Sequence, residues 1–103
     1  MRRSDFDAVY QSGRRATSRQ FAVFFRPNGR AVSRFGSSVK RALGNAVRRN
    51  RMRRRVREIV RLHRREIPAG FDVVVHPRRS VATAEFAGLA AELMDLLRRS
   101  LIQ

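Results

Sequence analysis

The segment from Lys40 to Arg65 constrains this chain more than any other, because it carries two incompatible surfaces on one helical period. Gly44 and Asn45 open it, Pro68-Ala69-Gly70 breaks the chain after it, and the spacing predicts the longest helix between them, ending at about Arg65. At about 100° per residue, Met52, Val56, Ile59, Val60 and His63 share one face. Asn50, Arg53, Arg54, Arg57, Arg61 and Arg64 gather on the opposite one. One side must therefore be buried against a core, while the other cannot be. Charged faces on helices are usually solvated, with both signs interleaved. Between Lys40 and Arg65 Glu58 is the only acid, so the face repels itself and calls for an anionic partner. Lys40, Arg41, Arg48 and Arg49 crowd the helix start, where the macrodipole already places partial positive charge. They become favourable there if a phosphate sits on the free N–H groups of the first turn. Asn45 is either a simple N-cap or, with Asn50, a neutral donor and acceptor within the cationic surface.

Charge over the whole chain agrees. The 103 residues hold 24 basic and 8 acidic side chains, a formal net charge of +16, well beyond what solubility asks and pointing to a polyanion. Lys40 is the one lysine, which leaves 23 arginines, whose planar forks match phosphate and stack on bases. GC-rich codon usage would also favour Arg over Lys, but it does not account for the net charge. A hydrophobic fraction of 43% with seven Phe is that of a folded chain, and the length suits a single domain over residues 1–103. With no cysteine there is no disulfide, thiolate nucleophile or Cys-based zinc site. No apolar run approaches the ~18 residues of a membrane span, and the N-terminus lacks the apolar stretch of a secretory signal, so a cytoplasmic protein without a membrane role is expected.

Along the chain the pattern reads helix, strand, strand, helix, strand, helix. Ser4 is the expected N-cap of a short first helix, with Asp5 and Asp7 in its first turn, Phe6, Val9 and Tyr10 on one face and Gly13 at its end. Gln20 to Arg26 reads as a strand with Phe21, Val23 and Phe25 on one side and Phe24 on the other. The turn signal Pro27-Asn28-Gly29 predicts a hairpin into a second strand within Ala31–Val39, where Gly36 permits a bulge or a close backbone approach. Phe71 to His76 is a β-branched strand stopped by Pro77. Thr83 is the expected cap of a last helix with an apolar stripe of Phe86, Leu89, Ala90, Leu93 and Leu97, its other face carrying Glu85, Glu92 and Asp95. The pairs Arg14-Arg15 and Arg78-Arg79 fall in expected loops that would extend the basic footprint. These elements fit one α/β sandwich.

Phe6 and Tyr10 read as core by default, whereas Phe24 points away from its buried neighbours. His63 and His76 have no Asp or Cys at a matching spacing, and a lone histidine is more often structural than catalytic. The carboxylates form no paired or metal-ligand cluster of the kind metal-dependent nucleases use. No catalytic residue and no protein-bound metal or cofactor is expected.

The run Gly44-Asn45-Ala46-Val47-Arg48-Arg49-Asn50-Arg51-Met52-Arg53-Arg54-Arg55-Val56-Arg57-Glu58 resembles the signature of the bacterial ribonuclease P protein family, with its Arg-Asn-Arg core at Arg49-Asn50-Arg51. Asp5-Phe6-Asp7-Ala8-Val9-Tyr10, Arg34-Phe35-Gly36 and Gly70-Phe71-Asp72-Val73-Val74-Val75 are similar to other parts of that family, so the resemblance spans nearly the whole chain. It departs at Ser38-Val39-Lys40-Arg41-Ala42, where the family often has Ser-Val-Ser-Lys-Lys and the charge is shifted along the chain. The resemblance implies an α+β single-domain sandwich like the second domain of ribosomal protein S5, with a left-handed crossover around the basic helix against the usual right-handed rule. It implies a partner, the catalytic ribonuclease P RNA, which would hold the Mg2+ ions that activate water. It also implies a second partner, precursor tRNA, whose 5′ leader would lie in a cleft lined by Phe6, Tyr10 and Phe24. Lys40, Arg41, Asn45, Arg48, Arg49, Asn50, Arg51, Arg53, Arg54, Arg57 and Arg61 form the expected RNA-binding surface, which in isolation would take inorganic anions such as sulfate or phosphate. A structural RNA-binding protein, ribosomal or chaperone-like, would explain charge and fold but not the aromatics or the Arg-Asn-Arg run. A helix reading DNA in a major groove would need a few polar base-reading residues, and this one offers nearly unbroken Arg.

Overall fold

The computed structural model describes residues 1–102. Helix α1 spans Arg3–Ser12 and strand β1 Arg14–Thr17; β2 (Phe21–Pro27) and β3 (Arg34–Ser37) follow. A 3-10 turn at Arg41–Leu43 leads into α2 (Ala46–Leu62), then come β4 (Phe71–Pro77) and α3 (Phe86–Ser100). The sheet order is β1-β2-β4-β3, with β1–β2 and β2–β4 antiparallel and β3–β4 parallel.

The predicted hairpin out of β2 does not form. The turn is present, with Gly29 at φ +69° and Asn28 Oδ1 accepting from the Arg30 N–H, but the chain runs on to the far side of β4. Every residue of β4 except His76 is buried, so it needs a neighbour on both edges. β2 takes one edge and β3 the other, where Arg34 meets Asp72 in register. The partner β2 acquires instead is β1, a strand missing from the sequence reading because Arg14-Arg15-Ala16-Thr17 shows no apolar alternation. A charged edge strand is a common way to blunt a sheet margin, and here it carries the Arg14-Arg15 pair expected in a loop.

Strand alternation divides the sheet. Phe21, Val23, Phe25, Phe71, Val73 and Val75 face α2 and α3 and join Met52, Val56, Ile59, Val60, Leu89, Leu93 and Leu97 in the main core. The stripe expected for α3 is buried apart from the half-exposed Phe86, and Met94 and Leu96 join it. The other sheet face, with Ala22, Phe24, Val74 and His76, meets α1, whose one fully buried residue is Val9. Ser4 and Thr83 are not the caps expected of them. α1 starts one residue earlier than Ser4, capped at Arg2, whose N–H donates to the Asp5 carboxylate at 2.8 Å. α3 starts later, from Glu85, because residues 79–82 form a 3-10 turn that ends at Thr83. Glu92 is not simply on a solvent face, since it accepts bonds from Ser18 Oγ, the Gln20 N–H and Gln20 Nε2 and ties α3 to the β1–β2 turn.

Candidate nucleic-acid interface

α2 is sorted as its period requires. Met52, Val56, Ile59 and Val60 are buried, while Arg48, Asn50, Arg51, Arg54, Arg57 and Arg61 are exposed. Arg49 and Arg53 are half-buried: the Arg49 Nε–H donates to the Gly44 carbonyl, and Arg53 donates to Asn50 Oδ1. Arg55, left out of the expected surface, is turned inward and donates to the Val81 and Ala84 carbonyls. The helix ends at Leu62, three residues short of Arg65, with His63 as its C-cap and a 3-10 turn over Arg64–Glu66. His63 Nδ1 lies 2.8 Å from Glu66 Oε2, at the edge of the buried stripe.

Asn45 is the N-cap. Its Oδ1 accepts from the Arg48 N–H at 2.9 Å, satisfying one free donor of the first turn. Gly44 precedes it at φ +146°, a conformation L side chains rarely adopt, and a Cβ there would lie 2.6 Å from the Arg48 side chain. Glycine thus lets Arg48 fold back over the chain entering the helix. Lys40 and Arg41 are exposed at this corner, and Arg79 pins it by donating to the Ala42 carbonyl.

The corner leads into a cleft on the α1 face of the sheet. Tyr10, Phe24 and His76 form a three-ring cluster, with centroids 5.2 Å apart for Tyr10–Phe24, 4.9 Å for Phe24–His76 and 5.7 Å for Tyr10–His76. The Tyr10 hydroxyl is 2.8 Å from His76 Nε2. Arg15 lies over Phe24 at 5.8 Å. The cleft, of about 350 Å³, is walled further by Lys40, Arg78 and Arg79, the last two at the start of a 3-10 turn rather than in a plain loop. Burial, then the charges of Lys40 and Arg15, push the His76 imidazolium to a lower pKa than usual, which favours neutral His76. Tyr10 is 41% exposed and so is not the core residue its periodicity suggested.

Phe6 is placed differently from Tyr10 and Phe24. Its ring presses on β3, where a Cβ on Gly36 would come within 2.4 Å of Phe6 Cζ, so Gly36 serves a close approach and not a bulge. Nearby, Arg34 bonds Asp72 through Nε and Nη2, at 2.8 and 2.6 Å, and reaches Asp5 of α1 at 3.2 Å. Arg34, against the opposing pull of burial, holds the Asp72 carboxyl below its usual range. His76 is the cleft residue the sequence reading passed over. Its signal lay in parity: with Val73 and Val75 in the core, position 76 shares the opposite face with Val74.

A helix with one basic side, leading by a cationic corner to an exposed Tyr10 and half-buried Phe24 and His76, is an RNA-binding arrangement, and comparison with known proteins says which. The family profile described as Ribonuclease P matches residues 1–101. The chain belongs to the ribonuclease P protein family. It is 41% identical over 101 residues to the ribonuclease P protein component of Thermotoga maritima, covering 94% of this chain and 86% of the relative. The component from Desulfovibrio desulfuricans is 42% identical over 102 residues, covering 95% and 78%. Among solved structures, the Thermotoga maritima RNase P protein superposes with a TM-score of 0.92 at 40% identity, covering 100% of this chain and 96% of that one. The Staphylococcus aureus RNase P protein gives 0.86 at 29% identity, covering 99% and 94%. The function is therefore the family's: with the ribonuclease P RNA subunit, the protein takes part in tRNA 5′ processing as a component of an endoribonuclease. Its α+β architecture is likewise that of the ribonuclease P proteins. No group of three or more His, Cys, Asp or Glu is arranged to hold a metal among the described residues, and no helix there is long and apolar enough to cross a membrane.

Proposed function

We propose a division of labour in which the outer face of α2 and its corner bind the RNA subunit while the ring cleft holds the 5′ leader of precursor tRNA. Arg48, Arg51, Arg54, Arg57 and Arg61, exposed on one helix, suit successive phosphates. Lys40 joins the two surfaces, since it stands at the start of the basic segment and also walls the cleft. A single-stranded leader offers bases that stack on Tyr10, Phe24 and His76, with its phosphates held by Arg15, Lys40, Arg78 and Arg79. Stacking tolerates any base, as leaders of varied sequence require. Mg2+ held by the RNA would activate the attacking water, and the protein would act by neutralising phosphates and positioning substrate in the cytoplasm.

The observation that carries this reading is the three-ring cluster inside a basic rim. The test is cleavage of a precursor tRNA by ribonuclease P RNA at low magnesium, with and without the protein. Strong stimulation is expected for a leader-bearing precursor. Equal stimulation of a substrate whose leader is cut to one nucleotide would refute leader binding.

A further inference from the structure

A second aromatic site lies on the other side of the sheet, between the outer strand β3 and helix α2. Phe35, Val56 and Val60 form the floor of a groove of about 360 Å³, within the ~300–1,000 Å³ usual for ligand sites. Arg53, Arg57 and Arg61 rise around it from one side of α2 and Arg64 from the 3-10 turn that follows, and no acidic residue lines it. Arg64 holds its guanidinium carbon 5.9 Å from the Phe35 ring centroid and is tethered by a 2.7 Å bond to the Ser33 carbonyl. Arg61 is engaged by Glu58, whereas Arg57 has no ion-pair partner among the described residues. β3 has β4 as its single strand neighbour, so its outer edge offers backbone groups without a ladder partner. Gly36 lines the groove although the space for its missing side chain is filled by Phe6 on the opposite face, so what it presents there is backbone.

We propose that this groove takes one unpaired nucleotide of the ribonuclease P RNA, its base against Phe35 and its phosphates on Arg57 and Arg53. The proposal rests on the RNA-binding function of the family. A duplex presents phosphate outward and keeps its bases stacked, so arginines alone would serve it and an apolar floor would go unused. An unpaired nucleotide needs both parts. Its base stacks on an aromatic ring and on a planar guanidinium, here Phe35 and Arg64, and its edge can bond the free backbone of β3. The flanking phosphates meet the two arginines of α2 one turn apart.

The experiment measures affinity of the intact protein for ribonuclease P RNA across a salt series, for wild type, Phe35→Leu, Phe35→Tyr and Arg57→Gln, with thermal melts of each. Phe35→Leu keeps apolar volume without a ring. It should bind at least about fivefold more weakly, the low end of one lost base stack, with an unchanged salt slope. Phe35→Tyr restores affinity to near wild type. Arg57→Gln flattens the slope of log affinity against log salt by about 0.7–0.9. Ultraviolet cross-linking of the wild-type complex, which needs no variant, should join the peptide bearing Phe35 to a nucleotide outside any helix. Phe35→Leu binding as tightly as wild type, or Leu and Tyr weakened alike, overturns the proposal. So does an adduct at a paired nucleotide, or no adduct at that peptide. If wild type itself fails to bind the RNA, the family function is what has failed for this chain, and that outcome is distinct from the others.

Discussion

Replacing Phe24 by leucine should separate binding of the proposed leader site from binding of the tRNA body. The ring stands at the centre of the cleft, 5.2 Å from Tyr10, 4.9 Å from His76 and beneath Arg15 at 5.8 Å. Aromatic pairs contribute about 0.5–1.5 kcal/mol beyond the area they bury, and an exposed cation–π contact about 0.5–1 kcal/mol. These contacts share one ring and do not add fully, and leucine keeps much of the apolar contact, so a stability loss on the order of 1–2 kcal/mol is expected. For a domain of this size that lowers Tm by roughly 4–16 °C, which leaves the protein folded at room temperature. The binding loss is separate. One base stack removed costs about 1–3 kcal/mol, or roughly 5- to 150-fold in affinity. The assay is equilibrium binding of the reconstituted holoenzyme to a leader-bearing precursor and to mature tRNA under the same magnesium and salt. The precursor should lose affinity by that factor while mature tRNA changes less than about twofold. Equal weakening of both, or none for the precursor, would refute the leader-platform argument whatever happens to Tm.

Arg51→Ala should weaken binding to ribonuclease P RNA with the fold intact and reduce the salt slope by about 0.7–0.9; an unchanged slope would mean that Arg51 holds no phosphate. Arg49→Ala should show a similar binding loss with a lower Tm as well, because its Nε–H donates to the Gly44 carbonyl at the helix start. Stability should fall on acidification in two stages. His76 has a lowered folded pKa, so the unfolded chain takes up the proton first as pH drops past about 6.5. Asp72, depressed by Arg34, contributes stability present above the unfolded carboxyl value near ~3.9 that is lost as pH falls through its folded value. Melts of wild type and His76→Phe should differ in the first stage and share the second; a Tm that rises between pH 7 and 5 would contradict the His76 sign, and one that rises as pH falls below about 4 would contradict the Asp72 sign. Sulfate or pyrophosphate should raise Tm above chloride at matched ionic strength through occupancy of the basic face, and equal gains in an Arg53→Gln/Arg57→Gln variant would mean simple exclusion from the surface.

Much of the interface was legible because helical sorting is local. Asn50, Arg54 and Arg57 on one side of α2 and Met52, Val56, Ile59 and Val60 on the other follow from a 3.6-residue period. The parity of Phe24 against Phe21, Val23 and Phe25 follows from a period of two. What was not legible depends on pairing between distant segments. Four residues with two arginines carry no strand pattern of their own, and β1 exists because β2 has an open edge. The turn at Asn28-Gly29 correctly marks where β2 ends but says nothing of where the chain goes next, and the burial of β4 on both faces decides that. His76 could have been placed from alternation in β4 alone, but its meeting with Tyr10, 66 residues earlier, required the packing of α1.

That packing explains why the cleft and the attachment of α1 are one problem. α1 buries a single residue completely, Val9, so apolar area holds it weakly compared with α3, which buries six. Its other ties include Phe6 against Gly36, Asp5 to Arg34, the Tyr10 ring on Phe24, and the Tyr10 hydroxyl to His76. Each reaches the same sheet face, and the Tyr10 ties also build the platform proposed to receive bases. A helix buried more deeply would close over Phe24 and His76, and one tied less firmly would leave Tyr10 without a fixed position. Leaving these rings within reach of solvent therefore means replacing hydrophobic area with a few directed contacts. The main core on the opposite face, built from α2, α3 and the other half of the sheet, supplies the stability that makes this arrangement possible.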